Sequence, residues 1–527
     1  MKVLPPKGER MLPLLSGLLL AISFPPFRLL VPPFVALVPL LVFIETRTGD
    51  TQGRGAAARG GFWAGALYFG VLLYWLIVAL IYYSKLAIAA YALTVIILGL
   101  FTATFAAGVH YLRMKRIAPL WIVGPLLWTT LEWVQGNLGD LAFPWLGLGS
   151  SLASYPVIAG GADLVGARGM TLVVALISGL IAESVLRARR NTRWLGYAMN
   201  AAALAGLMVG YGWGRAATLE LEPAARVAVV QPNIPEDLKM DREAGLDSSM
   251  TALYNLTARI PREPDVDLVV WPEVALPAVL AEAYADEMRD AVNFLALQVD
   301  APIVVGAYAR VRGEERAFMN AAMVMDPAGM REDTYGKRFL VPFVERVPFI
   351  DPAWLESITG DMAYFGGLAR GPETTLFDDE EGDPFGVLIC YESIFAPLAR
   401  TYRQAGADYL VNMTNDAWYG REPWWARTSA LWQHPAHLTM CAIETRTGIA
   451  RAANTGISMF VDPIGRTSQQ TELFTPDVRV ATVYTTDETT LFVRWGDWLA
   501  TMAAAATLVL LVLARWGRRR TPVAAGA

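Results

Sequence analysis

The stretch Asp383-Pro-Phe-Gly-Val-Leu-Ile-Cys-Tyr-Glu-Ser393 decides how the soluble part of this chain is organised. Phe385–Ile389 is a short apolar run of the length typical of a buried strand. It ends at Cys390, and the pattern from Ile394 to Tyr402 predicts a helix. A cysteine at such a junction can lie at the positive end of a helix dipole, which predicts a lowered thiol pKa and a nucleophile. The alternative is a small core residue, as most free cysteines are.

Two further stretches carry charged residues that could act with Cys390. The strand-like run Val266–Trp271 is followed by Pro272 and Glu273. The turn-rich segment Tyr335-Gly-Lys-Arg-Phe-Leu-Val-Pro-Phe-Val-Glu-Arg-Val-Pro348 contains Lys337 and Glu345. If these segments converge at one sheet edge, Glu273 could accept the thiol proton. Lys337 could then stabilise the oxyanion formed when the thiolate attacks a carbonyl.

The composition of the 527 residues indicates a membrane protein. Hydrophobic residues make up 54% and charged residues only 18%, which is too apolar for an ordinary soluble protein. No basic tract with interleaved aromatic residues is present, so nucleic acid is not expected as a partner. Two cysteines, Cys390 and Cys441, are too few for a disulfide framework. One bridge between them is an alternative that would consume the nucleophile.

Eight apolar segments predict membrane-spanning helices. The first could instead be a signal peptide, but Phe24-Pro-Pro-Phe27 follows it where a small-residue cleavage site is expected, which favours an uncleaved helix. The eight segments are Met11–Ile22, Val31–Phe43, Gly60–Tyr83, Ala87–Tyr111, Ala118–Val134, Gly161–Leu186, Trp194–Trp213 and Trp498–Val512.

The basic residues that flank these segments predict the orientation. Clusters follow the second, fourth, sixth and eighth segments and precede the first, so with eight crossings they all fall on one side. The positive-inside rule makes that side the cytoplasm and places the soluble segment outside it. Lys85 is the main exception. The clusters are Lys2, Lys7 and Arg10; Arg47, Arg54 and Arg59; Arg113, Lys115 and Arg116; Arg187, Arg189, Arg190 and Arg193; and Arg515, Arg518, Arg519 and Arg520.

Between Ala225 and Val483, short apolar runs alternate with helical stretches, which predicts a layered α/β sheet. The predicted strands are Val227–Val230, Leu268–Trp271, Ile303–Val305, Ala321–Met325, Val387–Ile389, Tyr409–Met413, Ile449–Arg451 and Ser458–Val461. The predicted helices are Met250–Ile260, Leu280–Gln298, Ile394–Ala405 and Ala436–Glu444.

The order Glu273, Lys337, Cys390, each beyond a strand or in a loop, resembles the Glu-Lys-Cys triad of the nitrilase (carbon–nitrogen hydrolase) superfamily. With apolar segments on both sides, the chain is specifically similar to the apolipoprotein N-acyltransferase family. This resemblance implies a multi-span α-helical membrane domain plus an α/β nitrilase-like αββα sandwich domain. The expected domains are a seven-helix transmembrane domain at 1–215, a periplasmic catalytic domain at 220–490, and a C-terminal transmembrane helix with a cytoplasmic tail at 496–527.

The resemblance also implies roles for individual residues. Glu273 is expected to be the general base, Lys337 the oxyanion stabiliser and Cys390 the nucleophile. No metal and no cofactor are implied. Supporting or substrate-binding positions are expected at Glu345, Tyr391 and Glu392, and at Asn415, Asp416 and Trp418 in the run Asn415-Asp-Ala-Trp-Tyr-Gly420.

Four residues depart from the family pattern. Gln135 and Cys441 stand where Arg is common, Met240 where Trp is common, and Val344 where Gly is usual. These changes leave the triad intact and concern lipid contacts and hence substrate preference.

Several further residues keep two interpretations. Glu132, inside the fifth segment, is either functional or a packing residue near the outer interface. Trp424, Trp425 and Trp432 either form an apolar lip that faces lipid or pack in the core. His434 and His437 have the spacing of a metal pair, but no Cys or carboxylate partner is evident.

The resemblance implies transfer of a fatty acyl chain from a phospholipid to the N-terminal amine of a diacylglyceryl-cysteine lipoprotein. A cysteine thioester is the expected intermediate, and a multi-pass location in the bacterial inner membrane is implied. One rival is a membrane-tethered hydrolase of small amides or nitriles, for which eight spans are more than a tether needs. Another is a non-catalytic membrane partner, against which the intact triad argues.

Overall fold

The computed structural model of the chain describes residues 10–50, 52–81, 85–239, 241–261, 265–350 and 367–516. Lys2, Lys7, Met240 and Arg518–Arg520, which the sequence analysis discusses, lie outside these ranges.

The chain up to Thr218 is mainly helical, and we call residues 10–218 the helical domain. Short 3₁₀ helices at Gly139–Leu141 and Leu148–Ser154 lie between its seventh and eighth helices. The helices are α1 (Met11–Ala21), α2 (Pro32–Val35), α3 (Val38–Glu45), α4 (Gly53–Leu72), α5 (Trp75–Ile81), α6 (Ala87–Met114), α7 (Leu120–Gln135), α8 (Pro156–Ala159), α9 (Ala162–Arg189) and α10 (Leu195–Thr218).

Three helices in the described part of the chain are long and apolar enough to cross a membrane: α6, α9 and the C-terminal helix Trp498–Trp516. Helices α4 and α5 meet at a bend of 53° and make a fourth crossing if the pair is one span. Each of the eight apolar segments contains helix. The number of eight crossings stays a prediction, because α1 and α3 are short and α7 has 16 residues.

Among the described residues between 222 and 485, twelve strands follow, and we call this part the α/β domain. They form two six-stranded sheets with the orders β12-β1-β2-β3-β4-β5 and β11-β10-β9-β8-β7-β6. The strands are β1 (Glu222–Gln231), β2 (Leu268–Val270), β3 (Ile303–Val311), β4 (Glu314–Asp326), β5 (Gly329–Gly336), β6 (Leu376–Asp378), β7 (Pro384–Ile389), β8 (Tyr409–Thr414), β9 (Gly448–Ala453), β10 (Met459–Val461), β11 (Thr467–Ser468) and β12 (Asp477–Thr485).

The remaining helices accompany these sheets or follow them. In the part of the chain that the structure describes, 3₁₀ helices lie at Ala283–Ala285, Cys390–Ile394, Asp416–Tyr419 and Trp424–Ala426. The α-helices are α11 (Glu236–Lys239), α12 (Arg242–Thr257), α13 (Asp286–Val299), α14 (Ala396–Ala405), α15 (Ala430–Thr445), α16 (Leu491–Trp495) and α17 (Trp498–Trp516).

The two sheets pack face to face, with one layer of helices on each outer side. Side chains of β1 to β4 and of β7 to β10 share one buried hydrophobic cluster between the sheets. On the outer side of the first sheet, α12 and α13 bury Leu253 and Leu295. On the outer side of the second sheet, α14 and α15 bury Leu398 and Leu438. This four-layer αββα arrangement confirms the predicted fold of the soluble part.

Strand direction brings several loop residues to one end of the sandwich. Strands β2 and β3 are parallel, and so are β7 and β8. Strand β5 is antiparallel to β4, which is antiparallel to β3, so β5 also points the same way as β2. Residues that follow β2, β5, β7 and β8 therefore meet at the carboxyl ends of the strands.

The helical domain and the α/β domain are joined by buried polar contacts. Arg446, at the end of α15, donates to Asp163 of α9 at 2.8 Å. Trp145, in the loop after α7, donates its indole N–H to the side-chain oxygen of Gln433 at 2.8 Å. The end of the sandwich that carries the loop residues thus lies against the helical domain.

Candidate active site

Cys390 begins a 3₁₀ helix directly after β7, as the sequence predicts. Its side chain is buried, and its backbone φ is +51°, a left-handed conformation that is uncommon for a residue other than glycine. Ile389 is opposite Met413 in the parallel pair β7–β8, so Cys390 is level with the end of β8. The thiol hydrogen-bonds to the carboxylate of Glu273.

Glu273 lies in a tight turn three residues after β2. The turn passes so close to Gly306 that a Cβ atom there would lie 2.4 Å from the carbonyl oxygen of Pro272. A glycine is therefore required on β3 to let the base approach. The backbone N–H of Asn415 donates to Oε2 of Glu273 at 3.0 Å, which fixes the carboxylate toward the end of β8.

Lys337 follows β5, where its backbone N–H donates to the carbonyl oxygen of Asn320 at 2.8 Å. Its ammonium lies 3.0 Å from Oε1 of Glu273 and 2.8 Å from Oε1 of Glu345. The lysine is 1% exposed, so both ion pairs form away from water. Asn320 also donates to Glu273 at 2.8 Å, and to Glu345 at 3.4 Å. The structure thus brings together the predicted residues Glu273, Lys337, Cys390 and Glu345.

These contacts determine the charge of each group. Burial alone would raise the pKa of the Glu273 carboxyl, but the charge of Lys337 outweighs it and holds that pKa below its ordinary value. Burial would likewise lower the pKa of Lys337, and the carboxylates of Glu273 and Glu345 reverse this effect. The base is therefore ionised and the lysine charged at neutral pH.

The prediction that the Cys390 thiol has a lowered pKa is wrong. Burial, and then the negative charge of Glu273, raise its pKa well above the ordinary value, and Lys337 offsets this only in part. Cys390 is thus a neutral thiol beside an ionised carboxylate. If this thiol attacks a substrate, proton transfer to Glu273 must accompany the attack.

Glu392 links the end of β7, next to Cys390, to the segment that follows β5 and carries Lys337. Its Oε1 accepts hydrogen bonds from the hydroxyl of Tyr335 at 2.8 Å and from the backbone N–H groups of Arg338 and Phe339 at 2.6 and 3.2 Å. Its Oε2 accepts from the backbone N–H of Ile389 at 2.7 Å. Burial raises the pKa of Glu392 to about 7, although these donors oppose the shift. Glu392 is a support and does not contact the thiol.

Tyr391 points away from the triad toward the helical domain. Its hydroxyl donates to the carbonyl oxygen of Ala142 at 3.0 Å, and its ring packs edge-on against Phe395. Trp418, on the 3₁₀ helix after β8, is half-buried and packs against the hydrophobic cluster of the helical domain. These two predicted positions therefore join the site to the helical domain.

Asn415 and Asp416 have different surroundings. Beyond its backbone bond to Glu273, Asn415 donates its amide N–H to Glu236 at 2.7 Å and accepts from Asn454 at 2.9 Å. Asp416 is fully buried and accepts from His434 at 2.8 Å and from Arg451 at 2.6 Å. Burial opposes ionisation, but Arg451 and His434 lower the pKa of Asp416.

Sequence reasoning missed four polar residues that build the site. Asn320, Arg451, Asn454 and Glu236 bond directly to the predicted residues. A usable signal was present for two of them. Asn320 interrupts the apolar run of β4, and Arg451 interrupts the apolar run Gly448–Ala453, where a buried polar residue needs a partner.

Three of the four residues that depart from the family pattern lie in the described part of the chain, and the structure shows their surroundings. Gln135 donates to the carbonyl oxygen of Phe143 at 2.9 Å. In the turn before Glu345, the left-handed residue is Phe343, with φ +64°, so the backbone does not require glycine at Val344. Cys441 is buried, and its thiol lies 3.4 Å from the carbonyl oxygen of Ser393. Cys390 and Cys441 are both free thiols, so the alternative of a bridge between them is not realised.

Other ambiguous residues take defined places. Glu132 accepts hydrogen bonds from the indole of Trp128, the backbone N–H of Leu148 and the hydroxyl of Thr171. Trp424 and Trp425 are 74% and 71% exposed, whereas Trp432 is half-buried against the helical domain. Nε2 of His434 faces the carbonyl oxygen of Cys390, and Nδ1 faces Asp416 and Arg451, so both ring nitrogens belong to the polar network.

Comparisons with known proteins agree with this architecture. Residues 16–180 match the family model described as the apolipoprotein N-acyltransferase N-terminal domain, and residues 226–489 match the carbon–nitrogen hydrolase model. The apolipoprotein N-acyltransferase of Chlorobaculum tepidum is 30% identical, covering 96% of this chain and 97% of its own. That of Geobacter metallireducens is 31% identical, with 97% and 96% covered.

Solved structures with a similar fold are more distant. An amidase from Nesterenkonia sp. is 16% identical, with a TM-score of 0.36, and the match covers 53% of this chain and 95% of the amidase. The NitFhit protein of C. elegans is 20% identical, with a TM-score of 0.38, and the match covers 54% of this chain and 65% of NitFhit.

Proposed function

Since the chain belongs to the apolipoprotein N-acyltransferase family, we propose that it moves a fatty acyl chain from a phospholipid to the N-terminal amine of a diacylglyceryl-cysteine lipoprotein. The observation that carries this proposal is the buried cluster of Cys390, Glu273 and Lys337, at the end of the sandwich that faces the helical domain. A nucleophile, a base and an oxyanion donor are what acyl transfer through a thioester requires.

The first half-reaction acylates Cys390. The thiol sulfur attacks the carbonyl carbon of the phospholipid ester while Glu273 takes the thiol proton. Two N–H groups of the Lys337 ammonium are bound by Glu273 and Glu345, which leaves the third to donate to the oxyanion. When the tetrahedral intermediate collapses, the carbon–oxygen bond of the ester breaks, and Glu273 returns the proton to the departing alkoxide of the lysophospholipid.

The second half-reaction forms the amide. The neutral N-terminal amine of the lipoprotein attacks the thioester carbonyl, and Glu273 accepts a proton from the attacking nitrogen. The carbon–sulfur bond then breaks, and the proton returns to the Cys390 sulfur. No cofactor takes part in either step. A thioester suits this order because it keeps more driving force toward an amide than an oxygen ester would.

The surroundings of the triad favour transfer over hydrolysis. Tyr391 and Trp418 join the site to the helical domain, and no such domain is needed by an enzyme that acts on small soluble amides. Water must be excluded from the thioester until the acceptor amine binds, and the near-complete burial of Cys390 serves that purpose.

We place the protein in the bacterial inner membrane, with the α/β domain on the periplasmic side. The support is the distribution of basic residues. Arg47, Arg54 and Arg59 lie near the end of α3 and the start of α4, and Arg113 and Arg116 lie at the end of α6. Positive charges of this kind collect on the cytoplasmic side.

Mass spectrometry of a lipoprotein N-terminus tests the proposal. A diacylglyceryl-modified lipoprotein is incubated with phospholipid vesicles and the purified protein, and with the Cys390→Ala variant as control. The proposal predicts that one acyl group is added to the terminal amine and that an equal amount of lysophospholipid is released. Release of free fatty acid with an unchanged lipoprotein would instead support the hydrolase.

A further inference from the structure

A fully buried histidine lies behind the nucleophile and takes no part in the steps above. His434 is on α15, and its Nε2 is 3.1 Å from the carbonyl oxygen of Cys390. Its Nδ1 is 2.8 Å from Oδ1 of Asp416. Trp145 stacks on the imidazole at a centroid distance of 5.5 Å, and Tyr419 packs edge-on at 5.7 Å. The ring is therefore held from all sides.

The partners of His434 define which ring nitrogen can donate to Cys390. A backbone carbonyl only accepts hydrogen bonds, so a hydrogen bond between Nε2 and the carbonyl oxygen of Cys390 requires a proton on Nε2. Nδ1 faces Oδ1 of Asp416 and also Nη2 of Arg451, which is 3.3 Å away. We therefore assign the donor to Cys390 as Nε2.

Charged and titratable groups surround His434. Asp416 and Arg451 both contact Nδ1, and Arg451 also donates to Oδ2 of Asp416 at 2.6 Å. His437 lies one helical turn away, and burial lowers its pKa to about 3, which keeps that ring neutral.

A hydrogen bond to the carbonyl of Cys390 affects the backbone conformation that orients the thiol. The left-handed backbone of Cys390 directs its side chain toward Glu273, and this conformation is unfavourable for a residue with a Cβ. A hydrogen bond from Nε2 to the carbonyl oxygen stabilises this conformation. Arg451 donates to Oδ2 of Asp416 and contacts Nδ1 of His434, so the ring is itself fixed.

We propose that His434 is a positioning residue that, anchored on Asp416 and Arg451, donates from Nε2 to the carbonyl oxygen of Cys390 and holds the thiol in line with Glu273 and Lys337. The proposal rests on the proposed acyl transfer, because its benefit is a faster attack by Cys390. The ring does not touch the reacting atoms.

Two substitutions separate the two hydrogen bonds of His434. In His434→Gln, the amide nitrogen can take the place of Nε2 and still donate to Cys390. In His434→Asn, it can take the place of Nδ1 and bond only to Asp416. Acylation of Cys390 is measured in a single turnover with phospholipid vesicles. Since misplacement by about 1 Å costs roughly 10²-fold in rate, we expect His434→Asn to lose about that factor and His434→Gln to stay within about tenfold of the native protein.

The controls separate this proposal from the general one. His110, which contacts Arg47 in the helical domain, gives the matched variant His110→Gln, which should acylate at the native rate. Equal losses in His434→Gln and His434→Asn would mean that the histidine only fills space, and would overturn the proposal. If the native protein forms no acyl-enzyme at all, the proposed function fails. The two variants are then compared by alkylation of Cys390 with iodoacetamide, which needs no lipid.

A spectroscopic measurement applies even if the variants do not fold. The chain has three histidines, so protein labelled with ¹⁵N-histidine gives three sets of ring signals, which His110→Gln and His437→Gln assign. We expect Nε2 of His434 to carry a proton. An unprotonated Nε2 at His434 would overturn the proposal.

Discussion

The ammonium of Lys337 donates to the carboxylate of Glu273 across 3.0 Å, and both side chains are buried. A buried ion pair is weak evidence for stability, because desolvation offsets much of the attraction between the charges. We propose that this ion pair serves the reaction and not the stability of the fold. Lys337 keeps Glu273 ionised beside a neutral thiol, and it keeps one N–H free for the oxyanion.

Replacing either member of this pair should abolish acyl transfer while the protein stays folded. Glu273→Gln removes the proton acceptor, which is worth roughly 10²–10⁴ in rate, and Lys337→Met removes an oxyanion donor worth about 3 kcal/mol. Turnover is measured on a lipoprotein acceptor, and insertion by gel filtration in detergent. The exposed residues Glu287 and Lys85 give the controls Glu287→Gln and Lys85→Met. A near-native rate in Glu273→Gln or Lys337→Met would remove that residue from the mechanism.

The same two variants should change the acidity of the Cys390 thiol in opposite directions. The charge of Glu273 raises the pKa of the thiol, and the charge of Lys337 lowers it. Alkylation by iodoacetamide follows the thiolate fraction, so its rise with pH should move to lower pH in Glu273→Gln and to higher pH in Lys337→Met. Peptide mass spectrometry separates Cys390 from Cys441. A shift in the same direction for both variants would contradict the arrangement of charges.

Glu392 should make stability depend on pH. Burial raises its pKa to about 7, above the ordinary value of about 4.3, so the folded state binds the proton more tightly than the unfolded state. The stabilisation is full below about pH 4 and is lost as the pH rises through 7. Glu392→Gln should remove this dependence, and it should also slow turnover, because an amide places N–H groups against the backbone donors of Ile389 and Arg338. Thermal unfolding in detergent at several pH values measures the pH dependence of stability. If Glu392→Gln shows the same pH dependence as the native protein, Glu392 is not its source.

The α/β domain and the C-terminal tail should lie on opposite sides of the membrane. The reason is the charge asymmetry of the flanking basic residues. Reporter fusions after Ala217 and after Arg520 test it, with an enzyme active only in the periplasm and one active only in the cytoplasm. The fusion after Ala217 should report the periplasm. If both fusions report the same compartment, the proposed orientation is wrong.

The strands that the sequence missed all share one position in the fold. β5, β6, β11 and β12 are the four edge strands of the two sheets, while the eight strands in between were predicted. An inner strand is buried on both faces and reads as a continuous apolar run. An edge strand such as β5, Gly329-Met-Arg-Glu-Asp-Thr-Tyr-Gly336, is half-exposed and polar, so its pairing depends on neighbours far along the chain.

The triad could be predicted because each of its members follows a recognisable segment. The supporting network could not, because Asn320, His434 and Arg451 reach the site only through the pairing of strands and the packing of α15. The sequence also could not predict that the Cys390 thiol is neutral. The position of Cys390 at a helix start favours a low pKa, and only the structure shows the burial and the nearby carboxylate that reverse it.

The central claim is that Cys390 carries the acyl group between donor and acceptor. The direct measurement is peptide mass spectrometry after incubation with phospholipid and no acceptor. We expect one added acyl mass on the peptide containing Cys390 and none on Cys441, with a bond that neutral hydroxylamine cleaves and that an added acceptor amine discharges. Spontaneous loss to free fatty acid should be slow, since the site excludes water. No acyl mass on Cys390 under conditions that support turnover would contradict the covalent mechanism.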